Sequence, residues 1–173
     1  MFLKDPKAIA LLKKDHRAVD KLFLQYEAAS SGQEKVDLVQ DICQALMVHA
    51  HIEEKVFYPA LRGKVKEELL DEAIVEHDTL KDLISKIDGR GPDDAYFAAH
   101  VKVLREYVHH HVREEEREIM PQAEAGNLDL DELGERLEAL KLRLESKIEE
   151  MGPESRHQRV AVLQMDGRGI RHH

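Results

Sequence analysis

The sequence predicts an all-α protein: an up-and-down four-helix bundle with an additional C-terminal helix and a short tail. Three observations predict this fold class. The 173 residues are rich in Ala, Leu, Glu, Lys and Arg, with 5% aromatic residues and no Trp, a composition that favours helices. Apolar residues recur at spacings of three and four, which places them on one helical face. Breaker residues separate five such segments.

The breakers give the approximate bounds of each helix in order. Pro6 is suited to the first turn of the first helix, which closes at Ser30-Ser31-Gly32. Pro92 is expected to start the fourth helix, and Pro59 and Pro121 predict a kink or a stop. The helices after the first are expected over about residues 34–61, 66–87, 92–124 and 129–150.

These helices suggest three parts of the chain. Residues 1–127 are expected to form the bundle, and residues 128–150 a C-terminal helix packed on the bundle or on a partner. Residues 151–173 mix Arg, Gly, Gln and His with little periodicity, which predicts a flexible tail. The C-terminal helix could also mediate a homodimer or serve as the output surface of a sensor, because it carries an apolar stripe: Leu130, Leu133, Leu137, Leu140, Leu144 and Ile148.

Charge and composition exclude several classes of partner. The formal net charge of −9 disfavours binding to nucleic acid or to an anionic membrane. No apolar run is long enough to span a bilayer, and the first residues lack a signal-peptide pattern. The single cysteine, Cys43, cannot form an intrachain disulfide and is interpreted as a buried residue in a reducing cytoplasm. We therefore expect a cytoplasmic protein without nucleic-acid or membrane partners.

One motif occurs twice in the chain. His49 precedes Glu53 by four residues, and His111 precedes Glu115 by four; in each copy a second Glu and then a Pro follow. Residues four apart lie on one helical face about 6 Å along the axis, so both side chains of a pair can bind one cluster. An acidic residue followed by His precedes each copy at nearly equal distance: Asp15-His16 and Glu76-His77.

The helical phase places these residues on the apolar stripes. A carboxylate in a dry core costs several kcal/mol unless it is paired or bound to a metal, and no Lys or Arg lies on the stripes to neutralise Glu53 and Glu115. The pattern therefore predicts a site for two metal ions. Its candidate ligands are His16, His49, Glu53, His77, His111 and Glu115.

The neighbouring polar residues are less specific. His110 and Glu114 form a competing pair with the same spacing, but this pair lies off the apolar stripe, so the His111/Glu115 register is preferred. Glu54 and Glu116 could accept hydrogen bonds from the ligand imidazoles or could lie on solvated faces.

These motifs resemble those of the hemerythrin-like proteins, also called HHE cation-binding domains, which are four-helix bundles with a non-heme di-iron centre. The resemblance covers about residues 8–122 and rests on the order, spacing and duplication of the motifs. It implies that His16 and His49 bind one iron and that His77 and His111 bind the other. It also implies that Glu53 and Glu115 bridge the two ions. Imidazole and carboxylate ligands suit iron, with manganese and zinc as alternatives.

One position departs from the oxygen-carrying members of that family. They have an additional His one turn before the third-helix ligand, where this chain has Ala73. The resemblance then implies fewer protein ligands and exchangeable positions on both ions. This favours catalase-like peroxide turnover or oxygen activation over oxygen storage. The expected ligand is oxygen, nitric oxide or peroxide. The alternatives are a non-enzymatic module that binds or senses oxygen or nitric oxide, and metal storage.

Overall fold

The computed structural model describes residues 4–152 and Leu163, and this part of the chain contains helices and turns but no strand. The five main helices are α1 Lys7–Ala28, α2 Gly32–Ile52, α3 Glu67–Ile87, α4 Phe97–Glu114 and α5 Leu130–Glu150. Two of them are extended. α2 continues through a π-helical turn, Glu53–Phe57, into Tyr58–Leu61, and α4 continues through a second π-helical turn, Glu115–Ile119, into Met120–Ala125. The all-helical fold class is confirmed.

The start of α4 differs from the sequence prediction. α4 begins at Phe97, not at Pro92, and the residues between them form turns. Asp94 explains the difference, because its carboxylate accepts a hydrogen bond from the backbone N–H of Tyr96 at 2.9 Å and pairs with Arg90 at 2.8 Å. Such local side-chain contacts compete with helix formation.

The two internal prolines lead to π turns and not to helix stops. Pro59 follows the first turn, in which the backbone N–H of Tyr58 donates to the carbonyl of Glu53, five residues earlier. Met120 donates in the same way to Glu115 before Pro121. Proline has no N–H to donate, and its ring clashes with the carbonyl four residues before it in a regular α-helix. The wider turn accommodates the proline ring.

α5 packs on α1 and α2, and its apolar stripe is buried within the chain. Gly134 permits this close approach, since a Cβ there would lie 2.5 Å from the Cβ of Lys7 and 2.6 Å from the backbone nitrogen of Ala8. Asp131 also accepts from the backbone N–H of Lys7 at 2.8 Å, which satisfies a free donor at the start of α1. A homodimer through α5 would therefore have to use its opposite, charged face.

Two further sequence predictions concern the ends of the chain and the membrane. Within the described ranges, no helix is both long and apolar enough to cross a membrane. The predicted tail lies largely outside the described residues. Of it, Met151 and Gly152 follow α5, and Leu163 is buried.

Candidate metal centre

The structure brings four histidines from four helices to the middle of the bundle. His16, His49, His77 and His111 are all buried. The Nε2 atoms of His16 and His49 lie 3.1 Å apart, and those of His77 and His111 also lie 3.1 Å apart. We call the His16/His49 pair the first half-site and the His77/His111 pair the second half-site.

Two fully buried glutamates lie among these histidines, and one of them connects the half-sites. Glu53 and Glu115, the first residues of the two π turns, are each 0% exposed. Glu53 lies between the two pairs, with Oε1 3.0 Å from His49 Nε2 and Oε2 3.2 Å from His77 Nε2. Glu115 Oε2 lies 3.2 Å from His16 Nε2. All six candidate ligands therefore lie in one cluster.

The hydrogen bonding of the cluster fits metal ions. The Oε1 atom of Glu53 and the Oε2 atom of Glu115 have no hydrogen-bond partner among the described residues, although both atoms are buried. Each faces a histidine Nε2, so two lone pairs point at each other unless a proton or a cation lies between them. The ligand atoms form two groups, within each of which all atoms are within 4.8 Å of one another: His16, His49, Glu53 and Glu115, and Glu53, His77 and His111.

A carboxylate supports each imidazole from outside. Every Nδ1 faces an acidic side chain that can only accept, so Nδ1 carries the proton and Nε2 is directed at the cluster. The four Nδ1–oxygen distances are 2.8 Å for His16 and Glu116, 3.3 Å for His49 and Asp15, 2.9 Å for His77 and Glu54, and 2.6 Å for His111 and Glu76.

These contacts resolve one open question and assign a role to Asp15 and Glu76. Glu54 and Glu116 are acceptors from the imidazoles of candidate ligands and not merely solvated residues. Asp15 does not support its neighbour in sequence, His16, but His49 on the next helix, and Glu76 likewise supports His111. The acidic-His pairs were a signal for these residues, but only the helix arrangement shows which imidazole each carboxylate supports.

Tyr58 is a further site residue that sequence reasoning missed. Its hydroxyl lies 3.1 Å from Glu115 Oε1, 3.3 Å from Glu53 Oε2 and 3.4 Å from His77 Nε2. Burial, together with the charges of both glutamates, raises the pKa of Tyr58 well above its usual value, so the hydroxyl stays protonated and donates. The signal was a tyrosine within the first motif copy where the second copy has Met120, since a buried tyrosine hydroxyl needs a partner.

Without cations, the cluster holds protons on its imidazoles. Burial alone would lower the pKa of His49, but Glu53 and Asp15 outweigh it and raise the pKa to about 10. The pKa of His77 is raised to about 9, because the contacts with Glu53 and Glu54 outweigh its burial. Burial would raise the pKa of Glu53, but His49 and His77 hold it well below the usual value. Cation binding must therefore displace protons.

Two openings lined by described residues border the cluster. A cavity of about 290 Å³ lies between α1 and α4 beside the first half-site, and its lining includes His16, Phe23, Val108, Val112 and Glu116. A much narrower cleft of about 10 Å³, room for about one water, lies between α3 and α4 and reaches the second half-site.

The narrow cleft contains the position at which the sequence departs from the oxygen carriers. Ala73 is 3% exposed and lines the cleft together with His111 and Glu115. Its methyl group provides no ligand atom. The second half-site therefore gains no additional imidazole from α3.

Comparisons with known proteins agree with this geometry. A family model described as the hemerythrin HHE cation binding domain matches residues 7–123. The solved structure of a hemerythrin HHE cation binding domain-containing protein from Mycobacterium kansasii matches with a TM-score of 0.70 and 23% identity. That match covers 87% of this chain and 96% of the other. At this identity, the likeness shows a shared fold.

A curated relative has a different printed function. A protein named DNA nickase from Nostoc sp. (strain PCC 7120) is 30% identical over 106 residues, which are 61% of this chain but 30% of the relative. The chain thus spans less than a third of that protein's length. Because the family model covers well over half of the chain and the clustered histidines and glutamates could hold cations, the chain belongs to the hemerythrin HHE cation-binding domain family.

Proposed function

We propose that the chain holds two iron ions in this cluster and turns over hydrogen peroxide. One ion would be held by His16 and His49 and the other by His77 and His111, with Glu53 and Glu115 shared between them. The position of Glu53 supports this assignment, since its two oxygens face one imidazole of each half-site. Imidazole and carboxylate ligands in a bundle core suit iron.

The observation that carries the peroxide proposal is Ala73 at the wall of the second half-site. With no imidazole from this position, six protein side chains serve two ions, and coordination positions are left for an exogenous ligand. When bound, the iron pair would supply and accept the electrons that reduce one peroxide to water and oxidise a second to oxygen.

The chain's own residues can bring in the ligand and move protons. The cavity beside His16 has apolar side chains at Phe23, Val108 and Val112 and charged ones that include Arg17 and Asp20, and its volume of about 290 Å³ is sufficient for a small molecule such as peroxide. Glu116 lines the same cavity and accepts from His16 Nδ1 at 2.8 Å, so it can exchange protons between solvent and the first half-site. The Tyr58 hydroxyl can donate a hydrogen bond to a ligand near the shared carboxylates.

Oxygen release tests the proposal. Iron-loaded protein mixed with hydrogen peroxide should release oxygen, as measured with an oxygen electrode, and the Glu115→Ala variant, which lacks a shared carboxylate, should not. In the same preparation, the reduced protein should autoxidise rapidly in air. A stable, reversible oxygen complex in a protein that ignores peroxide would favour the alternative, a module that binds or senses oxygen or nitric oxide. Metal that binds without either reaction would favour storage.

We propose a diatomic ligand or peroxide as the small-molecule partner and no nucleic acid, because the net charge is −9. The name of the Nostoc relative argues the other way. Incubation of supercoiled plasmid with iron-loaded protein decides the point, and nicking that is lost in Glu115→Ala would overturn this part of the proposal. A cytoplasmic location is proposed from the single thiol, Cys43, which is buried and free.

A further inference from the structure

The duplicated motifs allow the two half-sites to be compared position by position. His16 corresponds to His77, and His49 to His111. The residue before each first histidine is acidic in both halves, Asp15 and Glu76. Each uses one oxygen to accept from an imidazole Nδ1, at 3.3 Å and 2.6 Å respectively. The halves differ in what the other oxygen of each carboxylate faces.

In the first half, that second oxygen is paired with a cation of the protein. Asp15 Oδ1 lies 2.5 Å from the ammonium nitrogen of Lys141, which α5 supplies. Asp15 is buried, and α5 covers this side of α1 and α2. A positive charge thus stabilises the outer oxygen of the supporting carboxylate.

In the second half, the equivalent oxygen has a much weaker partner. Glu76 Oε1 lies 3.5 Å from His110 Nε2, and the same nitrogen lies 3.4 Å from Glu114 Oε1. Both distances are at the limit for a hydrogen bond. Among the described residues, no lysine or arginine forms an ion pair with Glu76. Three side chains, Glu76, His110 and Glu114, thus converge on one position.

The donor atoms around this position suit a metal ion. One imidazole nitrogen and two carboxylate oxygens lie within 4.8 Å of one another. The side chains of His110 and Glu114 are 54% and 34% exposed, so water can complete the coordination. An imidazole with two carboxylates favours divalent first-row transition metals over calcium.

The same position in the first half could not bind a cation from solution. His110 corresponds to Val48 and Glu114 to Ile52, and both apolar residues are buried. The potential donors are therefore specific to the second half, where α5 does not supply an ammonium group.

A cleft connects this position to the metal centre. It is lined by Glu76 and Glu114 together with Ala73, His111 and Glu115. Glu115 is 0% exposed, and its Oε2 atom has no hydrogen-bond partner within the described part of the chain. The cleft thus joins the exposed donors to a buried carboxylate, one oxygen of which accepts no hydrogen bond from the described residues.

We propose that Glu76, His110 and Glu114 form a second, peripheral site that binds one divalent transition-metal cation in addition to the ions of the central cluster. The bound cation takes the place that the Lys141 ammonium group has in the first half. It contacts the Oε1 atom of Glu76, whose Oε2 atom accepts from His111. The site lies at the mouth of the cleft that leads to His111 and Glu115. It is independent of whether the central cluster turns over peroxide.

A manganese titration tests the site. Full-length protein is first saturated with iron and freed of excess metal, and Mn²⁺ is then added while free Mn²⁺ is measured by electron paramagnetic resonance. The native protein should bind one Mn²⁺ per chain without losing iron. His110→Asn and Glu114→Gln should each abolish this binding and keep the central iron. The control, His109→Asn, removes a neighbouring exposed histidine that pairs with Asp20, and it should bind Mn²⁺ as the native protein does.

A crystal soaked in Mn²⁺ provides the second measurement. The anomalous difference map should show a peak within bonding distance of Glu76, His110 and Glu114. The absence of additional Mn²⁺ binding in the native protein would overturn the proposal. So would binding that survives in both His110→Asn and Glu114→Gln, or an anomalous peak elsewhere in the chain with none at these three residues.

Discussion

Lys141 Nζ lies 2.5 Å from Asp15 Oδ1, and the other oxygen of Asp15 lies 3.3 Å from His49 Nδ1. α5 thus contacts a carboxylate that supports a candidate ligand, although it lies beyond residues 7–123 that the family model matches. In the second half-site a lysine of the bundle pairs with a different carboxylate: Lys81 Nζ lies 2.6 Å from Glu54 Oε1, the oxygen that also accepts from His77.

The first prediction concerns the connection from Lys141 through Asp15 to His49. Asp15→Asn should weaken cation binding by the first half-site by roughly 10–100-fold, because a neutral amide holds the His49 imidazole less firmly and lowers its basicity. Lys141→Met should act in the same direction with a smaller effect. The iron retained after dialysis against a graded series of chelator concentrations measures both effects. Arg143→Met, on an exposed position of α5, is the control and should retain iron normally. Equal losses in Lys141→Met and Arg143→Met would contradict the connection.

The second prediction tests the register of the fourth-helix motif. Glu115→Ala should lose the metal cluster, because Glu115 is fully buried beside His16 Nε2. Glu114→Ala should keep the central ions, since Glu114 is directed at His110 outside the cluster. The iron content of the two purified variants measures this difference. If only Glu114→Ala loses the central iron, the register is wrong by one residue.

The third prediction is that the free energy of unfolding depends on pH in opposite directions in the metal-free and the metal-loaded protein. In the metal-free protein, the pKa values of His49 and His77, about 10 and about 9, lie above the ordinary value of a histidine. Groups with a raised folded-state pKa stabilise the fold fully below the unfolded pKa, and this stabilisation is lost as the pH rises through the folded value. The free energy of unfolding of metal-free protein should therefore fall between about pH 6.5 and about pH 10.

The loaded protein should respond in the other direction at low pH. Cation binding requires unprotonated Nε2 atoms, so acidification should release the cations and remove the stability that they add. Urea unfolding of both forms across the same pH series measures the two trends. A metal-free protein that becomes more stable from neutral to alkaline pH would contradict the assigned protonation of the imidazoles.

The fourth prediction concerns Ala73. Ala73→His should slow peroxide turnover and lengthen the life of any oxygen adduct, because the new imidazole would fill the cleft beside His111 and Glu115 and compete for an exchangeable position. Ala73→Leu is the matched control, since it fills the same cleft without a ligand atom, and Leu12 is the corresponding residue of the first half. Stopped-flow spectra and oxygen release measure the effect. If Ala73→Leu slows turnover as much as Ala73→His, cleft volume and not ligation is responsible.

The sequence predicts the helices and the composition of the cluster well, because both depend on local periodicity. The spacing of His49 and Glu53, and of His111 and Glu115, is sufficient to place four side chains on inward faces, and the structure brings all of them together. The support of His49 by Asp15 from another helix could not be derived, since it depends on how neighbouring helices are rotated. The contribution of Lys141 was equally inaccessible, because it requires the position of α5 on the bundle.

The apolar periodicity also did not predict the π turns. A regular spacing predicts Ala60 on the inward face of α2, but Ala60 is partly exposed, whereas Leu61 is fully buried. The signal was present as a proline six residues after each glutamate, at Pro59 and Pro121. A proline at this position can be accommodated by a kink, a helix stop or a π turn, and an apolar pattern does not specify which of these forms.

Each π turn shifts the helix by one residue, and this shift determines where Tyr58 points. An α-helix advances about 100° per residue, so in a uniform helix Tyr58, five residues after Glu53, would point about 140° away from it. In the π turn the backbone N–H of Tyr58 donates to the carbonyl of Glu53, and the Tyr58 hydroxyl lies 3.3 Å from Glu53 Oε2. If the same residues instead formed a uniform α-helix, everything after the turn would be rotated by about 100°. Glu53 would keep its orientation, but the Tyr58 hydroxyl would turn away from the carboxylates. The extra residue thus allows one continuous helix to direct both Glu53 and Tyr58 at the cluster.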